Sequence, residues 1–266
     1  MGRNGKKTAL WIEAAAFVLA EAVLFSVIVF GLFSGHAYPE TRYASIVLCL
    51  AESVVLACVF RRRPDIFLVL AMVFTCIADY FLVIRDADYE LAVGVFSAAQ
   101  LFHAARLFAR EPARLRFSVL LRLALTGISF LVCAQIGVRM VLIYLALFYI
   151  INLLCNLLES FLQGAPAAGF GFVLFLFCDI TVGLNGMGGS WGLPYSLIRT
   201  AAALTWIFYL PSQVLIVLAF LKGAGRRDGR PARNPGQDRQ QKNRRTDTRA
   251  AGAEPQAGGG RTPGLV

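Results

Sequence analysis

Two carboxylates stand inside apolar runs. Asp79 lies in FTCIADYFLV, residues 74–83, and Asp179 in FLFCDITVGL, residues 175–184. A charge in hydrocarbon costs roughly 2.5–3.5 kcal/mol on insertion scales, so an acidic side chain in such a run is a functional candidate by default. Two carboxylates close together in a low dielectric do not both ionise near neutral pH; one keeps its proton and the other does not. One pocket then holds an acid and a base, a recurring arrangement for hydrolysis. Two other readings fit the same residues. Each Asp caps a kinked helix or bonds a neighbouring amide on its own, or the two relay protons in a transporter.

The elements that must position this pair follow from composition. The chain has 266 residues, 58% of them hydrophobic, and a mean hydropathy of +0.64. A water-soluble domain has too little core to bury that much apolar surface. The apolar residues come in runs of about 20, the length that crosses a bilayer as helix, and they lack the alternation of barrel strands. The expected fold is therefore all-α: a polytopic membrane protein with eight transmembrane helices, at 8–33, 41–60, 65–84, 89–109, 115–135, 138–161, 167–185 and 197–222. Pro39, Pro64, Pro112 and Pro166 mark joints, as do Gly164 and the stretch 186–194. Glu13, Glu21 and its length argue against reading the first run as a cleaved signal.

Basic residues orient the helices. Arg3, Lys6 and Lys7, then Arg61, Arg62 and Arg63, then Arg106, Arg110, Arg114 and Arg116 fall at one set of ends. The alternate joints carry only Arg42, Arg85, Arg139 and Arg199. Both termini are expected in the cytoplasm. Asp79 then comes about 14 residues into the third run and Asp179 about 12 into the seventh, both about 18–21 Å from the cytoplasmic end. They can meet at one level in the outer half of the bilayer. Tyr209 reaches a similar depth. Gln213 and Asn152 lie deeper towards the cytoplasm, and Gln100, His103 and Asn156 lower still, so these groups can line one polar cavity. Glu13, Glu21 and Glu52 are also intramembrane; they either pair with arginines or join that cavity.

Other chemistry has less support. The chain has two histidines, His36 and His103, and His36 falls in a joint, so no histidine-based metal site is expected. The six cysteines are scattered in apolar runs without a CxxC and read as small buried hydrophobes. Phe170, Phe172, Phe175 and Phe177 read as packing or lipid-facing residues. No GxxxxGK[ST] or HExxH is present. Residues 1–222 form the expected membrane domain and 223–266 a disordered basic tail, poor in large apolar residues. The tail can touch anionic headgroups. The net charge of +10 does not point to nucleic acid as the partner, given the hydropathy.

Four segments carry a family resemblance. CIADYFLV holds Asp79, and GVFSAAQLFHAARL holds Gly94, Phe102 and His103. GFVLFLFCDITVGLN holds Gly171, Phe175, Asp179 and Asn185, and WIFYLPSQVLI holds Tyr209 and Gln213. In order, spacing and helix count the chain resembles the YhhN/TMEM86 family of eight-helix membrane proteins, which includes lysoplasmalogenases, over most of residues 40–222. Ala78 replaces the family's usual glycine, Cys178 a serine, Arg106 a tyrosine and Ser212 an alanine. The resemblance implies hydrolysis of the vinyl-ether bond of a lysoplasmalogen to a fatty aldehyde and a glycerophospho-base. Asp79 and Asp179 would be catalytic, in roles the sequence leaves open. His103, Tyr209, Gln213, Asn185, Gln100 and Asn152 would hold the lysophospholipid or a water. No cofactor is implied. Location in a membrane, the cell membrane for a bacterial chain, completes the expectation. A proton- or cation-coupled transporter and a lipid-sensing scaffold that works through the tail are the other two readings.

Overall fold

The computed structural model describes residues 3–34, 39–61, 63–187 and 192–225. Among these the chain is helical, with no strand. The helices are α1 (Arg3–Ser34), α2 (Pro39–Phe60), α3 (Arg63–Asp79), α4 (Tyr89–Arg110), α5 (Leu115–Gln135), α6 (Val141–Leu162), α7 (Pro166–Met187) and α8 (Tyr195–Gly225). Eight are long and apolar enough to cross a membrane, so the protein is an integral, multi-pass membrane protein. In hydrocarbon every backbone N–H and C=O must be satisfied within the protein, and helices do so segment by segment. The helices form a compact unit that ends at residue 223, in the last turn of α8. Only 224 and 225 of the second unit are described, and the expected basic tail otherwise lies outside the described residues.

Local chemistry explains the ends. Pro39 and Pro166 open α2 and α7 at the first helical position, where a missing N–H costs nothing. Gly164 closes α6 with φ +68°. Its N–H donates to the Phe161 carbonyl, and that of Ala165 to the Ser160 carbonyl, each at 2.9 Å. This crossed pair satisfies carbonyls that the helix end leaves orphaned, and it needs a left-handed residue that glycine adopts without strain. The third helix does not run regularly to its end, as the sequence suggested. It widens into a π-helical turn, Tyr80–Ile84, directly after Asp79.

The core lies among α2, α3, α4, α6, α7 and α8, where Cys49, Leu56, Leu68, Met72, Leu153, Leu210, Ile216 and Val217 are fully buried. On α7, Gly171 lets α8 approach closely: a Cβ there would stand 2.7 Å from Ile216 and 3.0 Å from the Ser212 carbonyl oxygen. α1 packs on α2, and α5 on α6. Along α5, Phe117, Leu120, Leu123 and Leu131 are each more than half exposed. Apolar surface in that quantity suits lipid or another apolar helix rather than water. Five of the six cysteines are buried and all are free; Cys58 is exposed, contrary to the sequence reading. Phe172 and Phe175 are buried in the core, whereas Phe170 and Phe177 are exposed.

Candidate functional site

Asp79 is the last α-helical residue of α3 and is 3% exposed. The Tyr209 hydroxyl of α8 donates to its Oδ2 at 2.5 Å. Asp179 lies on α7, and the Tyr149 hydroxyl of α6 donates to its Oδ2 at 2.8 Å. Both tyrosines are buried, and a buried phenol needs such a partner. Phe175 packs 5.4 Å from the Tyr209 ring and 6.4 Å from the Tyr149 ring. Phe96 of α4 closes the other side, 6.0 Å from Phe175 and 6.1 Å from Tyr149. Both carboxylates act electrostatically on Tyr149 and on Cys178. The structure therefore brings together two tyrosine–aspartate pairs from four helices across one aromatic wall. π-helical turns concentrate at functional sites because they turn side chains out of regular register, and here one begins beside Asp79.

A second polar level adjoins the pair. Nη1 of Arg106 on α4 donates to the Ile216 carbonyl of α8 at 3.4 Å. One turn back along each helix come His103 and Gln213. These helices cross in the same direction, so the two residues share a level. His103 is 2% exposed and edge-on to Phe172, with ring centroids 5.3 Å apart. Neither of its ring nitrogens, nor Gln213 Oε1, nor Gln100 Nε2, has a hydrogen-bond partner among the described residues. Gln100 is anchored instead through its Oε1 and its backbone carbonyl, which accept from Asn156 Nδ2 at 2.9 Å. Arg106, read from sequence as a charge at the joint of two helices, is buried within the bundle.

Two expected residues lie apart. Asn152 accepts from Arg122 on α5 at 2.9 Å through Oδ1 and donates to the Phe148 carbonyl at 2.8 Å. Its amide is committed to a different network. Asn185 is exposed near the end of α7, six residues past Asp179, and joins none of these contacts. Among the described residues Glu21 has no arginine partner; it accepts from Ser45 at 2.5 Å and from the Cys49 thiol at 3.4 Å. Glu52 is buried beside α1, within electrostatic reach of Glu13.

Sequence reasoning passed over the network around Arg122. Its Nε donates to Ser118 at 3.2 Å, Nη1 to Asn152, and Nη2 to Asn156 at 2.9 Å. Nη2 also pairs with Glu159 at 3.1 Å, and Ser118 donates to Glu159. The available signal was position, since Arg122 lies seven residues inside its helix and Glu159 three from the end of α6. Tyr149 was also missed, and it carries no local signal.

Among the described residues no group of three or more His, Cys, Asp or Glu converges as a metal site. The fold and the buried polar residues define a helical membrane protein with a polar centre among its helices. No family model matches the chain, and no curated protein or solved structure is significantly similar to it.

Proposed function

We propose that the protein is a membrane-embedded hydrolase of the YhhN/TMEM86 kind, which cleaves the vinyl-ether bond of a lysoplasmalogen. The observation that carries the reading is the pair of tyrosine-bonded aspartates, Asp79–Tyr209 and Asp179–Tyr149, on a shared aromatic wall. A carboxyl proton adds to the enol-ether carbon and leaves an oxocarbenium-like centre on the ether side. Water attacks that centre as the other carboxylate takes its proton. The hemiacetal then breaks to a fatty aldehyde and a glycerophospho-base. Asp179, with more surface open than Asp79, meets the water. His103, Gln100 and Gln213, with donors and acceptors to spare, orient the polar part of the substrate, and Phe96 and Phe175 flank the chain. The scheme needs no cofactor. Cytoplasmic termini and a location in the cell membrane belong to the same proposal, as does contact of the basic tail with anionic lipid.

A proton- or cation-coupled transporter is the second reading, favoured by the irregular π-helical turn at an intramembrane Asp. Purified protein in detergent separates the two, because an enzyme consumes its lipid without compartments. Wild type should release aldehyde from lysoplasmalogen, and Asp79→Asn and Asp179→Asn should each abolish release while eluting as the folded protein. Full turnover in either variant sinks the scheme. No aldehyde from folded wild type, with proton flux in liposomes, establishes the transporter instead.

A further inference from the structure

The hydrolase reading leaves one cation near the pair without a task. Arg42 stands in the first turn of α2, where the sequence suggested a joint between helices. It is half-buried, with its guanidinium carbon 4.6 Å from the Trp206 ring centroid. Trp206 lies 6.0 Å from the Tyr209 ring, whose hydroxyl holds Asp79. Its chain neighbour Tyr43 is within electrostatic reach of Asp79 and packs edge-on to Tyr80 at 6.3 Å. Arg42 is thus two rings from the candidate reacting centre. Among the described residues it makes no ion pair with a carboxylate.

Stacking on an indole satisfies the face of a guanidinium and leaves its in-plane N–H donors open. Those donors form a fork that matches a phosphate or carboxylate bidentately. A half-buried charge in a membrane-spanning helix also calls for a counter-anion. A single-chain glycerophospholipid brings a phosphate separated from its first ether oxygen by the glycerol backbone alone.

We propose that Arg42, held over Trp206, is the phosphate-binding subsite of this centre and takes the phosphate of a single-chain glycerophospholipid. Placing the reacting ether bond at Asp79 rests on the hydrolase reading; the subsite itself does not. The subsite makes the protein selective for phosphate-bearing lipids over neutral glycerol ethers.

The test is calorimetric binding in a phosphate-free maltoside detergent, with three probes: a non-hydrolysable alkyl lysophospholipid, the alkylglycerol of the same chain, and inorganic phosphate. Wild type should bind the lysophospholipid about 10- to 100-fold more tightly than the alkylglycerol, the range of a charge-assisted contact. Arg42→Gln should erase that difference and leave alkylglycerol binding unchanged, and Arg42→Lys should restore part of it. Equal binding of the two lipids by wild type overturns the proposal, and this comparison needs no variant to fold. A lysophospholipid preference that survives in Arg42→Gln overturns it too. Inorganic phosphate binding as tightly as the lysophospholipid, and lost in Arg42→Gln, overturns the lipid assignment in favour of a free anion. Aldehyde release by wild type is read separately: its absence counts against the hydrolase and not against the subsite.

Discussion

Each aspartate of the candidate centre has a tyrosine hydroxyl as its hydrogen-bond donor, and that choice has a physical consequence. A phenol donates without bringing a net charge, so it fixes the carboxyl group's orientation and leaves it able to exchange a proton. An arginine in the same place would hold the carboxylate ionised and unfit to act as an acid. Removing only the hydroxyl isolates this effect, because phenylalanine keeps the ring contacts with Phe175 and Phe96. A hydrogen bond to a charged group is worth about 1.5–3 kcal/mol, and about 1.4 kcal/mol is tenfold in rate. Tyr209→Phe and Tyr149→Phe should therefore each lower kcat about 10- to 100-fold, with a shift in Tm of only a few degrees in detergent. Unchanged kcat with a large fall in Tm would mean that the tyrosines serve packing alone. The aspartates were legible in the sequence because an acid in an apolar run is conspicuous. Their partners were less so. Tyr209 entered through depth and the family resemblance, whereas Tyr149 sits in an apolar run where a tyrosine is unremarked, 30 residues from Asp179.

At the scale of elements, the bilayer makes helix count and approximate limits readable, since length and apolarity together specify a span. What those rules cannot see is how helices hold one another where lipid is as apolar as their surfaces. Here α5, exposed along most of its length, is tied to α6 by Arg122 and Glu159. Asn156 passes the connection to Gln100 of α4. Both charges of the pair are buried, and removal of one partner from such a pair costs about 3–5 kcal/mol because the other is left uncompensated. Arg122→Met or Glu159→Met should thus lower thermal stability strongly, and the double variant should recover most of the loss. A thermal melt of all four proteins in one detergent checks this as a double-mutant cycle. Additive losses would show that the pair is not coupled. Glycine offers a parallel lesson. Gly94 and Gly171 both belong to the family-like segments, yet a Cβ meets nothing within 4 Å at Gly94 and collides with α8 at Gly171. Sequence gives the two positions equal weight, and only packing separates them.

For the whole molecule, the distribution of charge and the depth of the site make one joint statement. The proposed orientation puts the joints rich in arginine on the cytoplasmic side, by the positive-inside tendency. Asp79, the π-helical turn after it and Arg42 then lie towards the opposite face, because α3 finishes and α2 begins at that end. A lysolipid in the outer leaflet would meet Arg42 first and the aspartates next, without crossing the membrane. The hydrolase reading gives the tail no part in that route. Two measurements on sealed right-side-out vesicles test the arrangement together. A tag placed after Val266 should resist external protease until the vesicles are opened, and lysoplasmalogen added outside should yield aldehyde before opening. Truncation after Gly225 should leave that yield within about twofold, since the hydrolase reading assigns the chemistry to helix residues and a lost surface contact with anionic lipid weakens membrane attachment rather than chemistry. Cleavage of the tag in intact vesicles reverses the orientation. Loss of aldehyde on truncation, with the eight helices still folded, would show that turnover needs the tail and would overturn a site made by the helices alone.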